Sequence, residues 1–249
     1  MISGLIFDLG STLLYNENDN NWGTLRPRMV ADLLVDLKAQ RLNVDEKKFT
    51  STFIRNIEDF DQQRQTHFKE ITTEYILSTT FEQLNLNINI IDLPRALSAF
   101  FAFSETTWRL MPHVHDTLRQ LQGRGYKMAI ISNAADNANV QRLIDNAQLR
   151  SYFDLILVSA AVGIRKPNPR IFEPVIKAWD ILPNEIVMIG DTLGADILGA
   201  KHANMKSIWV TMQADTPYNH AHRETILPDA VCDSLDQLPA IIQQIADGL

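Results

Sequence analysis

The feature that most limits what this chain can fold into is a layout repeated along it. A short, continuous apolar run ends in a small or polar residue and is followed by helix-like sequence. Gly4 to Phe7 ends at Asp8, Tyr126 to Ile131 at Ser132, Leu155 to Val158 at Ser159, and Ile186 to Ile189 at Gly190-Asp191. Ser207 to Val210 and Ala230 to Cys232 read as a fifth and a sixth run. Continuous rather than alternating apolar runs mark strands covered on both faces, and the spacers are long enough for crossover helices. The pattern therefore predicts a parallel α/β sheet. Ligands of such sheets bind beyond the carboxyl ends of the strands, where Asp8, Ser132 and Asp191 stand.

Sequence of another kind separates the first run from the second. From about Trp22 to Trp108 no strand-like run occurs. Met29, Leu33, Leu34 and Leu37, then Phe49, Phe53, Ile54 and Ile57 with Phe60 beyond, recur instead at helical spacing. The Asn-rich segment Asn85 to Asn89 and Pro94 punctuate this stretch, and Met111-Pro112 marks the return to the sheet. The expectation is a helical unit over 16–109 inserted into a sheet domain formed by 1–15 and 110–249. The aromatic residues from Phe100 to Phe103 read as the core of the helical unit, not as a base-stacking platform.

Composition narrows the partners. Lys and Arg total 23 against 30 Asp and Glu, a formal charge of -7, which opposes adhesion to nucleic acid or to anionic lipid. The apolar runs fall far short of the roughly 20 residues that span a bilayer. Neither nucleic acid nor a membrane is expected as a partner. The first run has no basic n-region and no cleavage pattern, and the lone Cys232 can make neither an internal disulfide nor a cysteine-based metal site, so a cytoplasmic protein is expected. The six histidines form no zinc-ligand pattern.

Four places carry residues suited to chemistry. Asp8, on a Gly-containing turn after a buried strand, can face an anion as a nucleophile or merely stabilise the turn before Gly10. Ser132 and Asn133 can donate to a phosphoryl oxygen beside a helix starting near Val140, or can cap that helix, as Asp136 can. Lys166, in the rigid Arg165-Lys166-Pro167 context, can neutralise a dianion, or be a solvated loop lysine. Asp191 and Asp196, at a strand tip and in the next helical turn, can converge on a hard cation that takes oxygen ligands. Asp196 can alternatively complement the helix dipole.

In order, Asp8, Ser132, Lys166, and Gly190-Asp191 with Asp196, each at a strand exit, resemble the signature of the haloacid dehalogenase superfamily. The resemblance spans the chain, with the helical insertion where that family places an α-helical cap. It implies a Rossmann-like doubly wound parallel sheet core with an inserted helical cap domain. It also implies a Mg²⁺-dependent hydrolase, foremost a phosphatase acting on a small phosphorylated metabolite. On this resemblance Asp8 would form an aspartyl-phosphate. Asp8, the Gly10 carbonyl oxygen and Asp191 would hold Mg²⁺, with Asp196 supporting them. Ser132 and Lys166 would hold phosphoryl oxygens, and Gly10, Ser11, Thr12 and Asn133 would complete the substrate site.

Gly10 departs from the family pattern. Most family phosphatases carry there a second aspartate that protonates the leaving alcohol, a role worth roughly 10²–10⁴-fold in rate. Ser11, Thr12, Glu17, Asp19 or ordered water are the candidate substitutes. Carbon–phosphorus or carbon–halogen cleavage and a non-catalytic phosphate-binding role are the alternatives. Retention of Gly190-Asp191 favours a metal enzyme over a dehalogenase, and a phosphonatase would need a desolvated cap lysine among Lys38, Lys47, Lys48 and Lys69. Specificity is expected from the cap and from Leu13 to Trp22, with Trp22, Arg26 and Arg28 in reach. Closure is expected to pivot near Asn16 to Asn21 and Arg109 to Pro112.

Overall fold

The computed structural model describes residues 1–18, 22–87 and 90–248. Each predicted run becomes a strand: β1 (Gly4–Phe7), β4 (Lys127–Ser132), β5 (Leu155–Val158), β6 (Ile186–Gly190), β7 (Lys206–Val210) and β8 (Ala230–Cys232). They form one six-stranded parallel sheet in the order β5-β4-β1-β6-β7-β8. Alternate side chains supply two cores. Leu5, Phe7, Ile130 and Ile189 pack on one face against α5 (Val114–Gly123), α6 (Asn137–Asn146) and α11 (Leu238–Asp247). Ile6, Ile131 and Met188 pack on the other against Phe172 and Val175, with α8 (Glu173–Trp179) and α9 (Leu198–His202) contributing Trp179 and Ala200. Both faces are covered, which is why the runs read as continuously apolar. The fold is the doubly wound α/β sheet expected.

The chain winds from β1 to β4 on one side and crosses to β6 on the other, so β1 lies between them. Neighbouring strands are about 4.8 Å apart, so the sequence-distant ends of β4, β1 and β6 are brought together at the switch of strand order. That is where ligands bind in such sheets.

Four helices follow β1: α1 (Trp22–Ala39), α2 (Glu46–His67), α3 (Thr73–Gln83) and α4 (Leu93–Glu105). Their apolar stripes meet in a separate cluster built on Leu33, Leu37, Phe49, Phe53, Phe81 and Phe100. Phe53 is fully buried and stacks edge-on against Phe100 at 5.5 Å. Truncating such a ring to alanine costs about 3–5 kcal/mol. Asp45, Thr72 and Asp92 begin α2, α3 and α4 by accepting the backbone N–H three residues on.

A short antiparallel ribbon of β2 (Leu14–Asn16) and β3 (Trp108–Leu110), unforeseen from the sequence, joins the two regions. The expected boundaries at 15/16 and 109/110 fall inside it. A second junction lies elsewhere. Lys69 forms an antiparallel bridge with Ile164, Glu70 N–H donates to the Gly163 carbonyl at 3.0 Å, and Arg165 N–H donates to that of Phe68 at 3.2 Å. Among the expected pivot residues, Asp19, Asn20 and Asn21 lie outside the described residues, as do Ile88 and Asn89 of the Asn-rich segment. Among the described residues no helix is long and apolar enough to cross a membrane.

Candidate active site

Asp8 leaves β1 at its carboxyl end, with its N–H held by the Ile189 carbonyl of β6 at 2.9 Å. The chain then turns back on itself: the N–H groups of Leu13 and Leu14 both donate to the Leu9 carbonyl, and Ser11 adopts the left-handed region at φ 60°. The turn leaves the Asp8 carboxylate at the floor of a cavity of about 660 Å³ between the sheet ends and the helical unit.

Lys166 is the centre of the floor. Its side chain is 1% exposed, and its ammonium donates to Asp8 Oδ1 at 2.6 Å and to the Ile131 carbonyl at 2.6 Å, with Asp196 Oδ1 at 2.7 Å. Two hydrogen bonds and one ion pair thus hold the ammonium. This decides against a solvated loop lysine. Burial opposes its charge, but Asp196 and Asp8 outweigh it and raise the pKa above the ordinary lysine value, so the group is a cation at neutral pH.

The carboxylates have the opposite imbalance. Oxygen atoms of Asp8, Asp191 and Asp196 lie within 4.8 Å of one another, and all three residues are buried. Burial pushes Asp8 up to about 6, against the pull of Lys166. Asp191 is raised well above the usual carboxylate range by burial and then by Asp8 and Asp196. Three carboxylates face one ammonium, an all-oxygen set with surplus negative charge that fits a hard divalent cation. Asp8 and Asp191 suit direct ligation. Asp196 is already engaged by Lys166 and by the Thr192 N–H at 2.9 Å, from the irregular turn Leu193–Ile197, which places it in support.

The remaining predicted residues divide. Gly10, Ser11, Ser132 and Asn133 line the cavity. Asp136 caps α6 by accepting the Asn139 N–H at 2.7 Å, so capping is not the task of Ser132, whose hydroxyl makes no hydrogen bond among the described residues. Two of the predicted side chains are engaged by other residues of the site. Asn133 clips Lys166 in place, donating from Nδ2 to the Lys166 carbonyl and accepting the Lys166 N–H, each at 2.9 Å. Thr12 is fully buried, is absent from the cavity wall and donates to Asp191 Oδ1 at 3.3 Å.

Of the two acids proposed to replace the one missing at Gly10, the described one is not placed beside Asp8. Glu17 is an exposed partner of Arg109 at 2.9 Å, and Asp19 lies outside the described residues. The space above Gly10 is bounded instead by the indole of Trp108, 3.5 Å from where a β-carbon would stand. Trp22 and Arg26 reach the cavity, whereas Arg28 is exposed, pairs with Asp32 and does not line it. Lys38, Lys47, Lys48 and Lys69 are all exposed and none lines the cavity, which removes support for a Schiff-base phosphonatase.

Sequence reasoning missed the residues that hold the Asp191 corner. Trp209 Nε1 on β7 donates to the Asp191 carbonyl at 2.7 Å. Asn219, on α10 (Pro217–His222), donates to the same carbonyl at 2.9 Å and accepts the Leu193 N–H at 2.9 Å. No local signal marks them, because both act on backbone groups distant along the chain.

A family model described as haloacid dehalogenase-like hydrolase matches residues 43–210, more than half of the chain. The chain belongs to that family. The matched span contains Ser132, Lys166, Asp191 and Asp196 and begins beyond Asp8. Over 170 residues, 68% of this chain and 70% of the relative, it is 27% identical to a glyceraldehyde 3-phosphate phosphatase of Pyrococcus furiosus. It is 32% identical over 116 residues to a phosphoserine phosphatase of Thermus thermophilus, covering 47% of this chain and 46% of that one. A crystal structure of a 2-haloacid dehalogenase from Pseudomonas syringae shares the fold at a TM-score of 0.70 and 24% identity, covering 98% of this chain and all of that one.

Proposed function

We propose that this family member is a Mg²⁺-dependent phosphatase acting on a small phosphorylated metabolite, with Asp8 as nucleophile. The observation that carries the reading is the contact of Asp8, Lys166, Asp191 and Asp196 at the floor of one cavity. The names of the two relatives agree with it. The helical unit over 16–109 is read as the cap, and the lone Cys232 underlies a cytoplasmic reading.

An anionic nucleophile approaches a phosphoryl dianion only where positive charge and oriented donors cancel the repulsion. Lys166 supplies a fixed cation against Asp8 and orients the attacking oxygen. Ser132 offers its hydroxyl to a phosphoryl oxygen from the end of the adjoining strand. Asp8, the Gly10 carbonyl and Asp191 would hold Mg²⁺, which when bound neutralises phosphoryl charge. Attack by Asp8 forms the aspartyl-phosphate and expels the alcohol oxygen, which without a carboxylate at residue 10 takes its proton from water.

That missing carboxylate favours one second reading, a member of the fold that binds phosphate without turnover. A panel of phosphomonoesters with and without Mg²⁺, run on the native protein and on Asp8→Asn, separates the two. Mg²⁺-dependent phosphate release abolished in Asp8→Asn is expected. Release that persists in that variant refutes Asp8 as nucleophile, and no release from any ester leaves the binding role.

A further inference from the structure

One wall of the cavity is not used by the chemistry at Asp8. Arg26 of α1, Arg64 of the last turn of α2 and Arg165, which precedes Lys166, all line it. Asp61 takes Arg26 Nη2 on one oxygen and Arg64 Nη1 on the other, each at 2.7 Å. Glu70, 1% exposed, lies 3.2 Å from Arg64 Nε and 3.6 Å from Arg165 Nη1. It also accepts the Ser159 hydroxyl at 2.5 Å and the Ile71 N–H at 3.1 Å, so its oxygens are shared.

Three guanidiniums therefore face two carboxylates, leaving one positive charge in excess. Arg64 is 8% exposed and its Nε is buried without a hydrogen bond. Burial lowers its pKa, and Arg165 and Arg26 crowd it with like charge. A guanidinium stays protonated regardless and carries five donors in a planar fork, more than these partners use.

We infer that this wall is a second anion subsite and that the substrate carries, besides its phosphoryl group, a carboxylate that seats on Arg64 and Arg165 with Arg26 in support. One excess charge matches a monoanionic carboxylate better than a dianionic phosphate, and the planar fork suits its two oxygens. The inference rests on the phosphatase reading and adds the substrate class to it.

The test measures calorimetric binding, in Mg²⁺, of non-hydrolysable ω-carboxyalkylphosphonates of increasing length, against alkylphosphonates and alkane bisphosphonates of the same lengths. At one chain length the carboxylate is expected to bind about ten- to a hundredfold tighter than the plain alkylphosphonate. That ratio is expected to fall towards one in Arg64→Gln. Because Arg64→Gln leaves Glu70 buried beside a lost partner, Arg165→Gln and Arg26→Gln, whose side chains are 21% and 22% exposed, carry the same test. Equal binding of both series, a ratio unchanged in all three variants, or a preference for bisphosphonates overturns the inference while p-nitrophenyl phosphate turnover keeps the phosphatase reading. Absence of both phosphonate binding and that turnover overturns the two together.

Discussion

Gly10→Asp asks whether the missing acid limits the reaction. The backbone accepts the change, since Gly10 is not among the residues at positive φ. The new β-carbon would meet Trp108 Cη2 at 3.5 Å and Cζ3 at 3.7 Å, ordinary van der Waals contact. A carboxyl group there lines the same cavity as Asp8, Asp191 and Asp196, so their like charge raises its pKa. A raised pKa keeps the proton near neutrality, the state in which it can be given to a leaving alkoxide. General acid catalysis is worth roughly 10²–10⁴-fold, so turnover of an alkyl phosphate should rise at least about a hundredfold. p-Nitrophenolate leaves without a proton, so that ester should gain far less. Initial rates of phosphate release from the two esters, with Gly10→Asn as the neutral control, measure the ratio. A folded Gly10→Asp protein whose alkyl-to-aryl ratio is unchanged refutes the argument that proton delivery limits this site.

Lys166→Met should cost about 3–5 kcal/mol in denaturant unfolding with chelator present, because it strands Asp8 and Asp196 in a buried site, and it should abolish phosphate release. Asp8 and Asp191 have folded pKa values above their unfolded ones, so the stability they contribute is full below about pH 4 and falls as pH rises through the Asp8 value of about 6. Mg²⁺ should therefore raise Tm more at pH 7.5 than at pH 5; a shift independent of pH would contradict the charge imbalance. In Gly190→Ala the new methyl overlaps the Asp196 carboxylate, so the Mg²⁺-induced Tm shift and turnover should both fall while far-ultraviolet circular dichroism stays native. Burial pushes the Cys232 thiol up to about 11, so iodoacetamide at pH 7.5 should leave the native protein unlabelled and modify it only once unfolded.

The sheet was legible because its strands are buried on both faces. Leu5 and Phe7 enter one core and Ile6 the other, so every position is apolar and no alternation hides the run. Phe49, Phe53 and Ile57 were legible for the complementary reason, a stripe at helical spacing that closes on its own cluster. The β2–β3 ribbon left no comparable mark. Each strand has three residues, and Leu14 and Leu110 pair across roughly a hundred residues of intervening helix. Neither segment is long enough to show a period, so only the meeting of the two makes a sheet.

The site divides along the same physical line. Asp8, Ser132 and Asp191 could be found because a polar residue interrupting or ending a buried strand needs a reason to be there. Asn133 and Thr12 stand beside such ends, and the family resemblance put them in the substrate site. Their side chains hold Lys166 and Asp191, contacts set by which way each one turns. Trp209 and Asn219 hold the Asp191 carbonyl from 18 and 28 residues away. Arg64 and Glu70 look like ordinary charges at the end of a polar helix until the Lys69–Ile164 bridge brings Arg165 alongside. A residue whose partner is a neighbour in sequence, or a whole apolar layer, leaves a pattern in the chain. One whose partner is a single distant group leaves none, because the contact exists only after the sheet has placed both ends. Asp8, Ser132 and Asp191, which end buried apolar runs, belong to the first kind, and Trp209, Asn219, Arg64 and Glu70, each engaged by single distant groups, belong to the second.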